Sequence, residues 1–364
     1  TGDGLEDAEF AGAVEYREMR RRDGAELTRI ARADRLDATL TDGMSTLEGA
    51  RFHGSVTFED QDVTGEADEA FYLVAEGIME LLTVEAGGQT PRVVDRRGSV
   101  QAETIRVTLD GPEIDATGSV ESVLTTAEGE GDDANGQPSS RDAVKRPRLL
   151  DASEPVLVTA DRLLYDDTTA VATYTGSAHL WQDDTEFHGE EIVLDEATGN
   201  ISASGDVRTR TILSQLNDDT GVQEDSVTIA RAGQMEYDDT LRLATYTGEA
   251  QVTGPRGDVF GDTIRIYLHE DSKTLDRVEA SGNVRLETPG RFVTGAALLY
   301  YDADGRYEME GEPVRIVEDL EEECRETIGR TLTFFITGDE LSVDGRAETR
   351  TQTASGECEE LKRQ

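Results

Sequence analysis

The stretch Ala160-Asp-Arg-Leu-Leu-Tyr165, which continues to Tyr174-Thr-Gly176, decides the fold of this chain. It recurs as Ala232-Gly-Gln-Met-Glu-Tyr237, continuing to Tyr246-Thr-Gly248, at a constant offset of 72 residues (232 − 160). Each copy starts at a small residue, has apolar residues three and five positions later, and reaches Gly after sixteen positions (176 − 160). A fixed spacing of this kind indicates a repeat architecture.

The same template fits six further places in the chain. Five of them keep the spacing, and the sixth carries five extra residues in its turn. These places are Ala33/Gly49, Ala102/Gly118, Gly189/Gly205, Gly295/Gly311, Gly329/Gly345 and, with the longer turn, Gly261/Gly282. No third or fifth position is polar in any copy. The residues are Leu36, Ile105, Leu163, Ile192, Met235, Ile264, Leu298, Leu332, Ala38, Val107, Tyr165, Leu194, Tyr237, Ile266, Tyr300 and Phe334.

Side chains inside each unit alternate between apolar and polar, which is the period of a β-strand. Ala172, Tyr174 and Ala178, for example, alternate with Thr173 and Thr175. Pairs of Asp residues between the two halves of a unit are typical of turns. The repeated Gly lies in mid-strand, where it indicates a bulge or a bend. The sequence therefore predicts an all-β fold of strand-turn-strand units, with about sixteen to eighteen antiparallel strands in two facing sheets.

The composition excludes several classes of protein. The 364 residues include 78 acidic and 35 basic side chains, for a formal net charge of −43. Phosphate contacts need dense Lys and Arg, so this balance excludes a nucleic-acid-binding protein. Hydrophobic residues make up 36% of the chain, which favours thin layers of strands over one large core. Lys occurs only at 145, 273 and 362, so that nearly all positive charge is Arg.

Three polar segments interrupt the repeats. Glu85 to Arg97 is expected to be a long loop, and Ser214 to Asp225 is another polar insertion. The largest, Ala127 to Pro155, is rich in Gly, Asp, Ser and Pro and is expected to be a flexible linker. The segment Glu66 to Leu82 comes nearest to a helical pattern. The predicted organisation is an N-terminal β domain at 1–126, the linker at 127–155, a more regular β domain at 156–356 and a tail at 357–364.

Catalytic motifs are absent from the sequence. It contains no Gly-x-Ser-x-Gly, no P-loop and no His-Glu-x-x-His, so neither an enzyme activity, nor a cofactor, nor a metal site is expected. The four histidines, at 53, 179, 188 and 269, fall at unrelated points of the template. Asp302-Ala-Asp-Gly305 superficially suggests a calcium loop, but the template places it in a solvated turn.

The repeat resembles the OstA-like family of lipopolysaccharide-export proteins, which comprises LptA, LptC and the N-terminal domain of LptD. Ala160-Asp-Arg-Leu-Leu-Tyr165, Gly189-Glu-Glu-Ile-Val-Leu-Asp195 and Ala203-Ser-Gly-Asp-Val207 carry the resemblance, which is clearest over 156–290. Phe52-His-Gly-Ser-Val56 looks like the LptC version. The chain departs from the family in being longer than one LptA or LptC domain and in being extremely acidic, which leaves open whether its role is LptA-like or LptC-like.

The resemblance implies an elongated open β-jelly roll with an apolar trough for the lipid A acyl chains of lipopolysaccharide. It further implies a periplasmic transport protein that bridges the inner and outer membranes, and that joins other Lpt components, or further copies of itself head to tail, by pairing edge strands. The alternatives are a structural or adhesive β-solenoid with a closed interior and a polysaccharide-acting enzyme on a β-helix; the sixteen template positions hold no carboxylate for the latter.

The inward-facing template residues, together with the alternating residues around each Gly, are the predicted lining of the trough. The strongest candidates are Leu163, Tyr165, Tyr174, Leu180, Ile192, Leu194, Met235, Tyr237, Tyr246, Val252, Ile264 and Ile266. The same stripe of side chains is also compatible with an ordinary closed sandwich core. Lipid binding at these twelve residues is therefore an expectation that rests on the resemblance.

Cys324 and Cys358 are the two cysteines, and they flank the last repeat unit. They form either a disulfide, as in an oxidising compartment, or two unpaired thiols. The most apolar region, Phe71 to Val84, is interrupted by acidic residues, whereas a membrane-spanning helix needs about 20 apolar residues. Since the chain starts at Thr1 without a signal peptide, a targeting segment or an inner-membrane tether before Thr1 is expected to have been removed.

Overall fold

The computed structural model describes residues 6–22, 25–41, 46–84, 88–109, 111, 113–125, 145–217, 220, 222–320, 323–335, 341–343, 350–354 and 358. Every one of the twenty-two elements in these ranges is a β-strand, which confirms the predicted all-β class but exceeds the predicted number of strands. Within the same ranges no helix could span a membrane. The strands are β1 (Asp7–Arg22), β2 (Ala25–Thr41), β3 (Thr46–Asp60), β4 (Val63–Leu73), β5 (Ile78–Leu82), β6 (Arg92–Asp95), β7 (Gly98–Gln101), β8 (Thr104–Thr108), β9 (Glu113–Leu124), β10 (Val156–Asp166), β11 (Val171–Gln182), β12 (Thr185–Asp195), β13 (Asn200–Asn217), β14 (Val222–Asp238), β15 (Leu243–Gly254), β16 (Gly257–Leu268), β17 (Leu275–Thr288), β18 (Arg291–Tyr301), β19 (Arg306–Leu320), β20 (Glu323–Phe335), β21 (Leu341–Val343) and β22 (Arg350–Ala354).

Contacts between Cα atoms divide the chain into two compact units. The first unit comprises Thr1–Arg146, Asp151–Gln182 and Glu191–Ala197, and the second comprises Pro147–Leu150, Asp183–Glu190 and Thr198–Gln364. β10 pairs with β9 along its whole length and so extends the ladder of the first unit. Of the linker predicted at 127–155, residues 127–144 lie outside the described part of the chain.

The first unit is an antiparallel ladder in which most strands pair with their neighbours in the sequence. β1 to β4 pair consecutively, and β9, β10 and β11 do the same. Between these runs, two long strands each pair with two short strands instead of one long one. β4 pairs with β5 at one end and with β6 at the other, and β9 pairs in the same way with β8 and β7. These short strands account for part of the excess over the predicted count.

The second unit is more regular, as the sequence predicted for its half of the chain. Strands β13 to β20 pair consecutively and antiparallel, and β20 pairs further with β21 and β22. Each strand from β13 to β20 is longer than the mean strand of about 5–6 residues, with β13 reaching 18 residues. Each strand therefore contacts mainly the strand before it and the strand after it.

A glycine bulge bends the long strands in the middle. Gly176 has φ +82° and is followed by Ser177 at +46°, and the register between β10 and β11 shifts at this point. Positive φ favours glycine because it lacks a Cβ, and an extra residue in one strand increases the local bend. The same pair of left-handed residues recurs at Gly54-Ser55, Gly118-Ser119, Gly205-Asp206, Gly248-Glu249 and Gly282-Asn283.

Because each long strand bends in the middle, the two halves of the ladder within each unit face each other. Tyr246, in the first half of β15, pairs with Met235, while Thr209, in the second half of β13, pairs with Ala230. The hydroxyl groups of Tyr246 and Thr209 nevertheless lie 2.9 Å apart, across the gap between the two halves. The core of each unit is the space between these halves, as in a β-jelly roll.

Four sequence expectations need correction. The insertion at Ser214 to Asp225 lengthens a hairpin, since β13 and β14 stay paired out to Asn217 and Val222. The predicted loop before Arg97 contains β6 and thus has less irregular chain than expected. The segment nearest to a helix, Glu66 to Leu82, forms β4 and β5 instead. In the first template the bend lies at Gly54, at the same spacing as Gly261/Gly282 (54 − 33 = 282 − 261), because β2 and β3 stay paired out to Thr41 and Thr46 and so extend further from the bend than β10 and β11 do.

Candidate functional site

The interior face of both units is apolar and is built by the repeat. All sixteen third- and fifth-position residues of the template are buried. In the ladder they pair with the residues that precede each glycine, so that Leu163 lies opposite Tyr174 and Met235 opposite Tyr246. Each rung thus presents the same kind of surface to the interior as its neighbours.

The twelve candidate residues of the trough are likewise all buried. Leu163, Tyr165, Tyr174, Leu180, Ile192 and Leu194 lie in the first unit, and Met235, Tyr237, Tyr246, Val252, Ile264 and Ile266 lie in the second. Their inward orientation follows from strand alternation, and the intervening residues Thr173 and Glu279 are only half-buried. Contact of the twelve with a lipid remains a prediction.

A cavity of about 50 Å³ lies inside the second unit. Two candidate residues, Val252 and Ile266, line it from the two facing halves, together with other apolar side chains such as Leu213 and Leu286. The uncharged polar residues of its wall are Gln215, Thr228, Tyr300 and Tyr307. The cavity therefore has mostly apolar walls with a few neutral polar groups.

One charged group, Arg256, reaches this cavity from the turn between β15 and β16. Its side chain is 11% exposed, forms an ion pair with Asp302 at 3.7 Å and lies over the ring of Tyr300, 5.2 Å from its centroid. Asp302 also accepts hydrogen bonds from the Tyr300 hydroxyl and the Gln223 amide. Asp302 is buried because these three partners draw it inward, whereas Ala303 and Asp304 of the same turn are exposed, as expected of a solvated turn.

A second cavity, of about 30 Å³, lies inside the first unit. Three candidate residues, Leu163, Tyr165 and Tyr174, line it together with apolar residues of β6, β7 and β9. The remaining seven candidates line neither this cavity nor the one in the second unit. Three charged residues, Asp95, Arg97 and Glu196, complete the wall.

Arg97 has a fixed position in this wall. Asp95 accepts hydrogen bonds from its backbone nitrogen at 2.9 Å and from its Nε at 2.7 Å. The guanidinium carbon lies 3.3 Å from the centroid of the Tyr165 ring, a cation–π contact between the two facing halves. Gly98 follows in a conformation, φ +148°, in which a Cβ would lie 1.9 Å from the carbonyl oxygen of Val123.

Glu196 is the most unusual ionisable group of the interior. It lies in the turn between β12 and β13 and is 7% exposed. Burial raises the pKa of its carboxyl to about 7, against the opposing influence of the Arg97 charge. The carboxyl thus changes protonation state near neutral pH.

Sequence reasoning found the apolar lining but missed Arg97, Glu196 and Arg256. A signal for the arginines exists: both occur as Arg-Gly in a tight turn, at Arg97-Gly98 and Arg256-Gly257. Glu196 has no such signal, because its turn looks like any other acidic turn of the chain. Only the packing of the two halves shows that it points inward.

The two cysteines form a disulfide in the structure. Cys324, in β20, is buried, and its Cα lies 5.5 Å from that of Cys358. Such a distance is usual for a disulfide. Of the last repeat unit between them, residues 336–340 and 344–349 lie outside the described part of the chain.

Comparisons with known proteins give little beyond this. No family model matches the chain, and no curated protein matches it. Among solved structures it is similar to LptH, the LptA-homologous periplasmic component of the lipopolysaccharide transport device from Pseudomonas aeruginosa, with 19% identity and a TM-score of 0.28. This match covers 35% of the present chain and 83% of that chain. The function of the present chain has to be argued from its own residues.

Proposed function

We propose that this protein binds the acyl chains of lipopolysaccharide between the two facing halves of its ladder and carries the lipid through the periplasm. The observation that carries the proposal is the uniform apolar interior, in which the sixteen template positions are buried in both units. Each CH₂ group that moves from water to an apolar wall gains about 0.8 kcal/mol. A long acyl chain could therefore be held without any specific polar contact.

Similar rungs also suit transport. If successive rungs present the same kind of surface, a lipid meets no single deep minimum as it moves along the ladder. The described cavities, of about 30 and 50 Å³, are much smaller than an acyl chain. Binding therefore requires the two facing halves to separate, with the lipid replacing contacts that the halves otherwise make with each other.

Photo-cross-linking tests this proposal. A cross-linker at Tyr165 or Ile264, on the interior face, should capture lipopolysaccharide. The same group at Thr173 or Glu279, on the opposite face of the same sheets, should not. Equal capture at all four positions would show that lipid contact is a property of the surface in general, and the proposed interior site would be wrong.

The remaining parts of the proposal concern partners and compartment. Among the described residues β1 pairs only with β2, so that its other edge is available for pairing with a further strand. We include such edge pairing, with other transport components or with a second copy, in the proposed role. The disulfide between Cys324 and Cys358 supports an oxidising compartment such as the periplasm.

The small cavities favour a second candidate function, a structural or adhesive β-array that holds no lipid. Titration of delipidated protein with lipopolysaccharide distinguishes the two candidates. Saturable binding with protection of interior cross-linking sites supports lipid transport. Absence of binding, in protein whose strand content is unchanged, supports the structural role.

A further inference from the structure

The cavity of the first unit contains two buried polar atoms without hydrogen-bond partners. Arg97 Nη1 and Glu196 Oε2 are both inaccessible to water, and neither has a partner among the residues that the structure describes. Both residues line the same cavity. A buried donor or acceptor that lacks a partner destabilises the fold, and most such groups in native proteins are satisfied.

Neither residue is placed so that it could easily turn away. Arg97 is held by Asp95 through its Nε and its backbone nitrogen, and it stacks on Tyr165. The backbone of Glu196 is held on both sides, since its nitrogen donates to the Ala170 carbonyl and its carbonyl accepts from the Lys145 nitrogen, each at 2.8 Å. The Arg97 side chain and the Glu196 backbone are therefore held in place before any ligand arrives.

One chemical group satisfies both atoms at once. A hydroxyl accepts a hydrogen bond through its oxygen and donates one through its proton, so it can bond to Arg97 Nη1 and Glu196 Oε2 together. The rest of the wall, including Val93, Val100 and Leu163, is apolar and suits an aliphatic chain. We propose that this cavity is a binding site for the hydroxyl group of an aliphatic alcohol, with its chain lying in the apolar interior.

Other groups fit less well. A carbonyl oxygen satisfies Arg97 but offers no proton to Glu196. An ammonium satisfies Glu196 but sets a second positive charge beside Arg97. An alkane leaves both atoms without partners. The cavity, at about 30 Å³, has room for about two groups of the size of water, which limits the head of the ligand to a hydroxyl and the carbon next to it.

This inference rests on the proposed function only in one respect, namely that the interior can admit an aliphatic chain. The lipid-capture test at Ile264 probes the second unit, whereas the hydroxyl site lies wholly in the first. Capture at Ile264 without alcohol binding would overturn the hydroxyl site and leave the proposed function intact. Alcohol binding without lipid capture at Ile264 would overturn the proposed function and leave the hydroxyl site intact.

The test uses three probes of equal chain length, 1-hexanol, 2-hexanone and hexylamine, added to the full-length protein. Methyl NMR signals of Val93, Val100 and Leu163 report binding in this cavity. We expect 1-hexanol to shift them with a dissociation constant at least about tenfold lower than that of either other probe, since each satisfied buried group contributes about 1 kcal/mol or more. Equal affinities, or shifts confined to other methyl groups, would overturn the proposal.

Two matched variants complete the test. Glu196→Leu removes the acceptor and should reduce the affinity for 1-hexanol to that for 2-hexanone. Glu121→Leu, which changes an exposed acidic residue of β9, should keep the preference of the unaltered protein. If Glu196→Leu does not fold, the comparison of the three probes on the unaltered protein still decides. Failure of 1-hexanol to bind at all would overturn the proposal.

Discussion

At Gly176 an acidic side chain fills the space that a Cβ would need. The carboxylate oxygen Oδ2 of Asp161 lies 2.3 Å from the position of an ideal Cβ on this glycine. Asp161 is the second residue of the repeat, so that the acid and the glycine belong to one template. Equivalent pairs are Asp34/Gly54, Glu103/Gly118, Glu190/Gly205 and Asp262/Gly282.

Gly176→Ala should therefore lower the stability of the protein. An L-residue in the left-handed region costs about 1–2 kcal/mol, and the new methyl group would also displace the Asp161 carboxylate. The midpoint of urea unfolding measures the loss. Gly49→Ala is the matched control, because the nearest atom to its Cβ is the Tyr72 carbonyl oxygen at 3.7 Å; we expect it to be neutral or stabilising. Equal losses in the two variants would contradict this account.

Glu196 makes the stability of the first unit depend on pH. Its carboxyl has a pKa of about 7 in the fold, mainly through burial and with Arg97, Asp95, Asp167 and Arg146 as the neighbouring charges, against 4.5 as its ordinary value. Well below pH 4.5 the carboxyl is protonated in both folded and unfolded chains and does not change the free energy of unfolding. As the pH rises towards 7 the unfolded chain ionises first, so stability falls, by roughly 3 kcal/mol at most.

Glu196→Gln should remove this dependence. Relative to the unaltered protein, the variant should gain stability at pH 8 and gain none at pH 4, as measured by urea unfolding at both values. Glu121→Gln, which changes a solvent-exposed side chain, should show no such difference between the two pH values. A constant effect of Glu196→Gln across the range would show that the carboxyl ionises normally in the fold.

At the scale of the strand, arginine covers the aromatic residues of the outer face. In four places an arginine lies directly opposite an aromatic residue on the neighbouring strand, with its guanidinium carbon 3.6–4.5 Å from the ring centroid. The pairs are Arg277/Tyr267, Arg285/Phe260, Arg306/Tyr301 and Arg51/Phe71. A planar guanidinium stacks on a ring and an ammonium does not, which gives a physical reason for the predominance of Arg over Lys.

Arg285→Lys tests this role. The guanidinium of Arg285 lies 3.8 Å from the Phe260 ring centroid and pairs with Glu287 at 3.0 Å. Lys keeps the charge but loses the stacking, so we expect a loss of about 0.5–1 kcal/mol in unfolding free energy. In a Phe260→Leu background the same substitution should cost less. Additive effects of the two substitutions would show that the pair contributes nothing.

The strands themselves could be predicted because every strand places alternate, apolar side chains in the buried interior. Residues such as Leu163 and Ile264 face inward in any register that buries the apolar face. The distance from a bend to the end of its strand follows no such rule, which is why the bend of the first template was expected at Gly49 and lies at Gly54. Ser214 to Asp225 likewise looks like a loop by its polarity, although its residues extend the hairpin of β13 and β14, in which Gln215 is buried and Val222 to Asp225 are exposed.

At the scale of the whole molecule, the charged part of the candidate site could not be predicted. Arg97 and Glu196 are far apart in sequence and belong to turns on different sides of the cavity, so that their proximity depends on how the two halves of the ladder face each other. The apolar lining needs no such knowledge. The repeat therefore predicts the general interior, and the structure is required for the polar groups that make one part of it specific.

The disulfide provides a test of the proposed compartment. Mass spectrometry of unreduced peptides, from protein made in its native compartment, should show Cys324 linked to Cys358. Closing a loop of this length, 34 residues in sequence separation, stabilises a fold by about 3–4 kcal/mol in the chain-entropy model. Two free thiols would remove this support for the periplasm while leaving the lipid-binding proposal to its own test.

Pairing of consecutive strands has a consequence for how the chain folds. In the second unit β13 to β20 each pair with the strand just synthesised before them, so the average sequence separation of contacting residues is low for an all-β protein. Low contact order shortens the search for native contacts, and nearest-neighbour arrays can nucleate at any hairpin and then propagate. Insertion or loss of a whole hairpin would change the length of such an array while every remaining strand kept a partner of the same kind.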